Sequence, residues 1–137
     1  MTFSWLSPVY FDELDLNGTL HNSRFPVHVE RAQSALFEQR GKGWTDFAER
    51  DADLHCAVRE LRIEYLAALR APGVMLVELT GRKPGTTSAV YDFRCADPTG
   101  ETVYAQGHRA IIKLRDGQPA QWSPWYREVF DSIGSPS

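Results

Sequence analysis

The residues able to do chemistry crowd into one stretch, Tyr10 to Ala32 (YFDELDLNGTLHNSRFPVHVERA). Glu13 and Asp15 flank Leu14, Asn17-Gly18 follows, then His21-Asn22-Ser23, and Glu30 lies further on. A carboxylate held on a loop can attack a carbonyl directly or act as general base to a water. A histidine beside it can donate a proton or hydrogen-bond a substrate. Asn22 can orient the water or the carbonyl, or it can cap a helix. A helix N-terminus has unpaired backbone donors that polarise a carbonyl placed there. Asp15 therefore stands where carbonyl chemistry is physically reasonable, although Asp also serves plain turns by bonding its own backbone.

Positioning such a loop requires a strand before it and a helix after it. Trp5 to Phe11 reads as a strand, with Pro8 demoting its start to an edge or bulge. Asn17-Gly18 tolerates positive φ and marks a turn. From Ser23 to Gln39 the residues Phe25, Val29, Ala32 and Leu36 recur at helical spacing, and Val27, Ala35 and Phe37 widen the apolar surface into that of a deeply buried helix. Ser23 or Asn22 can cap it, and Pro26 suits a first turn. Gly41 and Gly43 end it. Trp44 to Ala52 reads as a further helical turn, with Phe47 and Ala48 inward. Strand patterns then cover Leu54 to Leu66, Val74 to Thr80, Thr86 to Cys95 and Glu101 to Leu114. Short turns join them at Ala71-Pro72-Gly73, Gly81 to Gly85, Asp97 to Gly100 and Asp116-Gly117. Glu128 to Ile133 forms a short last helix or an irregular tail. Short turns imply antiparallel neighbours, so the class is α+β: an antiparallel sheet wrapped around one long helix.

At 137 residues the chain is expected to be one domain, residues 1–137, and at 42% hydrophobic it can bury a real core. A net charge of −3 carries no global signal for nucleic acid. Cys56 and Cys95 lie far apart and in no metal spacing, so they read as small buried hydrophobes and no metal is expected. Met1 to Leu6 has no basic region or apolar run of signal length, and nothing approaches the ~20 apolar residues of a membrane span. The expected location is the cytoplasm, with no membrane partner.

The element order, with YFDELDLNGTLHNSRF ahead of a helix carrying Glu30-Arg31-Ala32, resembles the hotdog-fold acyl-CoA thioesterases of the 4-hydroxybenzoyl-CoA thioesterase family. In that family an aromatic-acidic strand end leads to an Asp, with a Gly three residues on, and an Asn-x-x-aromatic group opens the central helix. Asp15 falls on the catalytic Asp, Gly18 on the Gly, and Asn22 to Phe25 on the helix opening. The resemblance implies a hotdog fold and hydrolysis of an acyl-CoA or acyl-carrier thioester. It implies no cofactor beyond the coenzyme A of the substrate, and a homodimer or homotetramer with active sites at the subunit boundary. The family's polar pair after the turn is often Asn-Asn or Tyr-His; here it is His21-Asn22. Basic residues that hold the CoA phosphates vary among members and cannot be carried over.

The fourfold match at Asp15, Gly18, Asn22 and Phe25 favours catalysis over a plain turn for Asp15, as nucleophile or general base. His21 and Asn22 are its expected companions, and Gly18, Ser23 and Phe25 are expected to line the substrate. Glu30 is the reserve carboxylate, or a structural partner for Arg31 or Arg62. Arg82 and Lys83, in the glycine-flanked loop GRKPG, form a basic turn suited to phosphate. Glu13 reads as a solvated loop acid. His55 and His108 read as paired structural residues, and Trp122, Trp125 and Tyr126 as packing for the tail. Ser88 to Phe93 reads as a bare strand edge that a second subunit would cover. Two other readings stand beside hydrolysis. One is a hotdog dehydratase or hydratase, whose Gly-His-Phe-Pro-like segment is absent. The other is a hotdog domain that binds an acyl thioester without chemistry.

Overall fold

The computed structural model describes residues 1–43, 54 and 56–134. The expected turn at Trp44 to Ala52, and His55, lie outside the described residues. Strand β1 (Phe3–Val9) leads through a 3-10 turn at Phe11–Glu13 and a second at Asn22–Arg24 into helix α1 (Phe25–Gln39). Strands β2 (Cys56–Tyr65), β3 (Gly73–Gly81), β4 (Ser88–Ala96) and β5 (Val103–Arg115) follow, then a two-residue β6 (Gln118–Pro119) and helix α2 (Pro124–Ser132).

The main sheet is antiparallel with strand order β1-β3-β4-β5-β2. Its registers place Val9 opposite Gly73, Phe3 opposite Leu79, Tyr91 opposite Arg109 and Tyr65 opposite Ala105. Alternation does the sorting. Met75, Val77 and Leu79 on β3, and Ala89, Tyr91, Phe93 and Cys95 on β4, are all buried on the concave face. Against them α1 presents Phe25, Val29, Ala32, Leu36 and Phe37, the apolar stripe legible in the sequence. The half-buried Val27 and Ala35 flank that stripe.

Two expectations change here. Ser88 to Phe93 is not an edge: β4 is central, paired on both sides. Among the described residues the sheet edges are β1, as Pro8 foretells, and β2. On β2 the concave-facing Leu61 and Tyr65 and the nearby Val58 remain exposed. The tail is a true helix beginning at Pro124, earlier than expected. Trp122 stacks on Tyr126 with ring centroids 4.0 Å apart, and Tyr126 packs on Phe37 and Phe130. Gly81 makes that closure possible, since a Cβ there would meet the Phe130 carbonyl at 2.8 Å.

Candidate active site

Asp15 begins a miniature hairpin. Its N–H donates to the Thr19 carbonyl at 2.8 Å, Leu14 and Leu20 form an antiparallel bridge, and the His21 N–H donates to the Glu13 carbonyl at 3.1 Å. Gly18 closes the turn at φ +73°, whereas Asn17 stays at negative φ, so only the glycine supplies the left-handed residue. The Asp15 carboxylate is folded into this loop. Oδ1 accepts the Asn17 N–H at 2.8 Å, the Thr19 N–H at 3.2 Å and the Thr19 hydroxyl at 3.2 Å, a hydroxyl that Oδ2 shares. The Thr19 backbone donor is the largest influence; desolvation opposes it, but with the Asn17 N–H and the Thr19 hydroxyl added the carboxyl is held below its ordinary value. The group is thus an anion at neutral pH, with Oδ2 the less committed oxygen.

The hairpin opens onto a cleft of about 540 Å³. Asp15, Asn22 and Phe25 stand on one side, with Tyr65 and residues 66–69 on the other. The Tyr65 hydroxyl donates to the Asn22 carbonyl at 3.0 Å, and its ring meets Phe25 edge-on at 5.7 Å. The expected cap is corrected: neither Ser23 nor Asn22 caps the lead-in to α1. His21 does, its Nδ1 accepting the Ser23 N–H at 3.1 Å and lying 2.8 Å from the Ser23 hydroxyl. An Nδ1 that accepts an N–H leaves the ring proton on Nε2, so the exposed His21 is a donor at Nε2. The Asn22 side chain makes no hydrogen bond to the described residues.

Glu30 is brought elsewhere. It lines a second cavity, of about 550 Å³, and pairs with Arg109 at 2.9 Å rather than with Arg31 or Arg62. Arg109 also bonds Gln33 and the hydroxyl of Tyr91, a phenol that burial pushes up to about 12. Arg82 and Lys83 follow the end of β3, whose other end, Gly73, faces Val9 beside the Asp15 loop. Roughly 27 Å of strand separates them from Asp15 in the same chain. Arg82 is moreover engaged by Asp92 through two hydrogen bonds, at 2.7 and 3.0 Å. His108 pairs with Glu60 on the convex face, as a structural histidine should. Cys95 is buried in the core and Cys56 half-buried, and among the described residues no cluster of three or more acidic, histidine or cysteine side chains could hold a metal.

Glu13 is the clearest correction. It is buried, not solvated: its Oε1 lies 2.8 Å from His28 Nε2, its Oε2 accepts the Tyr10 N–H at 2.8 Å, and His28 Nδ1 bonds the Ser7 hydroxyl. Neither Ser7 nor His28 stands out in the sequence. The available signal was His28 itself, a polar residue one position before Val29 on the apolar stripe of a buried helix.

A sheet curled around one long helix, with an acid loop at the helix N-terminus, is the hotdog architecture. The family model of the thioesterase-like superfamily matches residues 9–130, and the chain belongs to that superfamily. Similar solved structures include the PA2801 protein, a putative thioesterase from Pseudomonas aeruginosa, at 22% identity and a TM-score of 0.80, covering 93% of this chain and 98% of that one. Slr0204, a 1,4-dihydroxy-2-naphthoyl-CoA thioesterase from Synechocystis, is similar at 13% identity and a TM-score of 0.82, covering 99% and 100%. A thioesterase from Thermus thermophilus, complexed with coenzyme A and Zn, is similar at 22% identity and a TM-score of 0.77, covering 95% and 92%. No curated protein matches the chain. No described helix is long and apolar enough to cross a membrane.

Proposed function

We propose that the protein hydrolyses an acyl-CoA thioester in the cleft at the N-terminal end of α1, with Asp15 delivering the attack. The observation that carries this reading is the meeting of an ionised Asp15, the Asn22 amide and the opening of α1 on one cleft. The thioester carbonyl would lie toward the first turn of α1, where the positive end of the helix dipole favours a developing oxyanion. Asp15 then attacks the carbonyl carbon, giving an anhydride that water opens, or it takes a proton from a water that attacks. In both routes a C–O bond forms, the C–S bond breaks, and the thiolate leaves with a proton. The proton for the leaving sulfur is the attacking water's, carried by Asp15 or by solvent, while the neutral His21 Nε2–H is a donor close to that cleft that suits a hydrogen bond to the substrate. Gly18 shapes the loop, Phe25 walls the acyl group, and Ser23 fixes the His21 tautomer. The coenzyme A named for the Thermus thermophilus structure supports CoA as the thiol.

The proposed assembly is a homodimer or larger. Leu61 and Tyr65 face inward on an edge strand with no further strand beyond them among the described residues, and Tyr65 lines the cleft. A second subunit along β2 would cover the edge and complete the cleft wall. Arg82 and Lys83 are left out of the site of their own chain, so any substrate contact of theirs would come from a neighbouring subunit. A panel of acyl-CoA esters followed by free-thiol release tests the function. Turnover of at least one aryl or fatty acyl ester is expected. Binding of these esters without thiol release would leave only an acyl-thioester-binding domain.

A further inference from the structure

Three polar side chains meet in an otherwise apolar interior: Ser7 on β1, His28 on α1 and Glu13 in the turn between them. Ser7 and His28 have no solvent exposure, and Glu13 is 6% exposed. Burial alone would raise the Glu13 carboxyl, but the Tyr10 N–H and His28 together outweigh it and keep Glu13 ionised. An ionised carboxylate only accepts, so His28 Nε2 carries a proton. Burial holds His28 below its ordinary value and hence neutral, although Glu13 pulls the other way; Arg31 and Arg24 are the remaining charges bearing on it, and both favour the neutral ring. Nδ1 must then accept from the Ser7 hydroxyl. The direction of every bond is fixed: Ser7 O–H to Nδ1, Nε2–H to Glu13 Oε1, Tyr10 N–H to Glu13 Oε2.

Such a cluster is an expensive way to fill a core, because apolar residues of similar volume serve stability as well or better. Nor is it a nucleophile triad, despite the order Ser-His-carboxylate: Ser7 is sealed from any substrate. What distinguishes it is what it holds. The Asp15 hairpin is tethered on its far arm by a backbone bond, Leu20 N–H to the Leu69 carbonyl at 2.8 Å. On its near arm the buried polar tether is the Glu13 side chain, two residues before Asp15. The other end of that tether is His28, one turn along the helix whose opening lines the cleft.

We propose that His28 is a positioning residue: through Glu13 it fixes the Asp15 loop relative to the N-terminus of α1. The catalytic consequence rests on the reading of Asp15 given above; the tether itself does not. A carboxylate and a helix terminus that must act on one carbonyl need a fixed separation, and a shift of about 1 Å can lower a rate about 100-fold. A neutral His28 also gives the tether one polarity, so it does not alternate between two loop positions.

The test compares His28→Leu, His28→Gln and Glu13→Gln. His28→Leu cuts the tether; kcat should fall about 10- to 100-fold with little change in KM, and amide exchange at Asn17 and Thr19, whose N–H groups bond Asp15, should accelerate. His28→Gln keeps one donor and one acceptor, and should restore most of kcat and the slow exchange. Glu13→Gln should hold the loop by switching the tautomer: the new amide donates to Nε2, and Nδ1–H donates to Ser7. Ring 15N shifts of His28 report that switch, which a purely space-filling histidine would not make. Should His28→Leu not fold, Glu13→Ala makes the same cut from the loop side. A folded His28→Leu or Glu13→Ala protein with wild-type exchange at Asn17 and Thr19 would overturn the proposal, whatever its rate. Full activity of Asp15→Asn would instead remove the catalytic reading, and the exchange measurements would still decide the tether.

Discussion

Asp15→Asn isolates charge from geometry in this site. Oδ1 takes three of the loop's donors, and an asparagine carbonyl can take the same three: the Asn17 N–H, the Thr19 N–H and the Thr19 hydroxyl. What the substitution removes is the anion and the basic Oδ2, whose one bond is to the shared Thr19 hydroxyl at 3.2 Å. The loop should therefore keep its shape and the protein its melting temperature. Activity should not survive. A positioned general base contributes about 10²- to 10⁴-fold, and loss of a nucleophile removes the route altogether, so kcat should fall at least ~100-fold. The assay is thiol release from acyl-CoA at saturating substrate, with enzyme dilute enough that Cys56 and Cys95 add no signal. The pH profile adds a second check. Asp15 lies below its ordinary 3.8, so its protonation should put no acid limb on kcat above that pH. A variant that keeps its fold and more than half the wild-type kcat would remove Asp15 from the mechanism.

Acid should destabilise the protein in two stages. His28 lies below its ordinary 6.5, so as pH falls past 6.5 the unfolded chain takes up a proton that the folded one refuses, and stability declines toward the folded pKa. Glu13 lies below its ordinary 4.5, so its contribution, full above 4.5, is lost as pH falls through its folded value. Melting temperatures should drop from about pH 6.5 downward, and His28→Gln should flatten the first stage; an unchanged slope between pH 6.5 and 5 in that variant would contradict the assignment. Arg82→Ala breaks an exposed pair and should change stability by under ~1 kcal/mol in urea denaturation. Adding Lys83→Ala should leave KM for CoA esters within about twofold (a phosphate ligand contributes far more); a larger, salt-sensitive rise would place the turn at a neighbour's cleft. Leu61→Lys puts a charge on the exposed inner face of β2 and should weaken self-association in sedimentation equilibrium at micromolar protein. A stable, fully active wild-type monomer would defeat the shared-cleft reading.

The fold was largely legible because alternation and helical spacing are local. Met75, Val77 and Leu79 alternate inward on β3, and Phe25, Val29, Ala32 and Leu36 mark one helix face; each pattern can be read without its neighbours. Strand order is not local. Ser88 to Phe93 carries no Lys or Pro, which suggested a bare edge, but a central strand needs no such protection and reads the same way. Pro8 was the better guide, because a missing N–H is tolerated only where no ladder requires it, and β1 is an edge. The basic turn at Arg82-Lys83 misled for a related reason. Composition names a phosphate ligand but not its address, and Asp92, ten residues on, meets Arg82 only after β3 and β4 have paired.

The candidate site was legible where turn chemistry constrains residue type and obscure where a side chain turns inward. Gly18 supplies the left-handed turn residue, and Asp15, Asn22 and Phe25 line one cleft, because a tight turn and a helix opening both constrain residue type. Glu13 defeats period-two reasoning. That reasoning sends Glu13 and Asp15 to the same side, but the 3-10 turn at Phe11–Glu13 breaks the extended chain just before Asp15. One carboxylate is thereby turned into the core and the other left at the cleft. Opposite fates for two acids two residues apart demand a buried partner for the first, since an isolated buried carboxylate would take up a proton. The partner had to be a donor on the helix, within reach of the turn. His28 is the neutral donor that the first two turns of α1 offer on their buried face, and the sequence therefore did contain the tether once Glu13 was known to face inward.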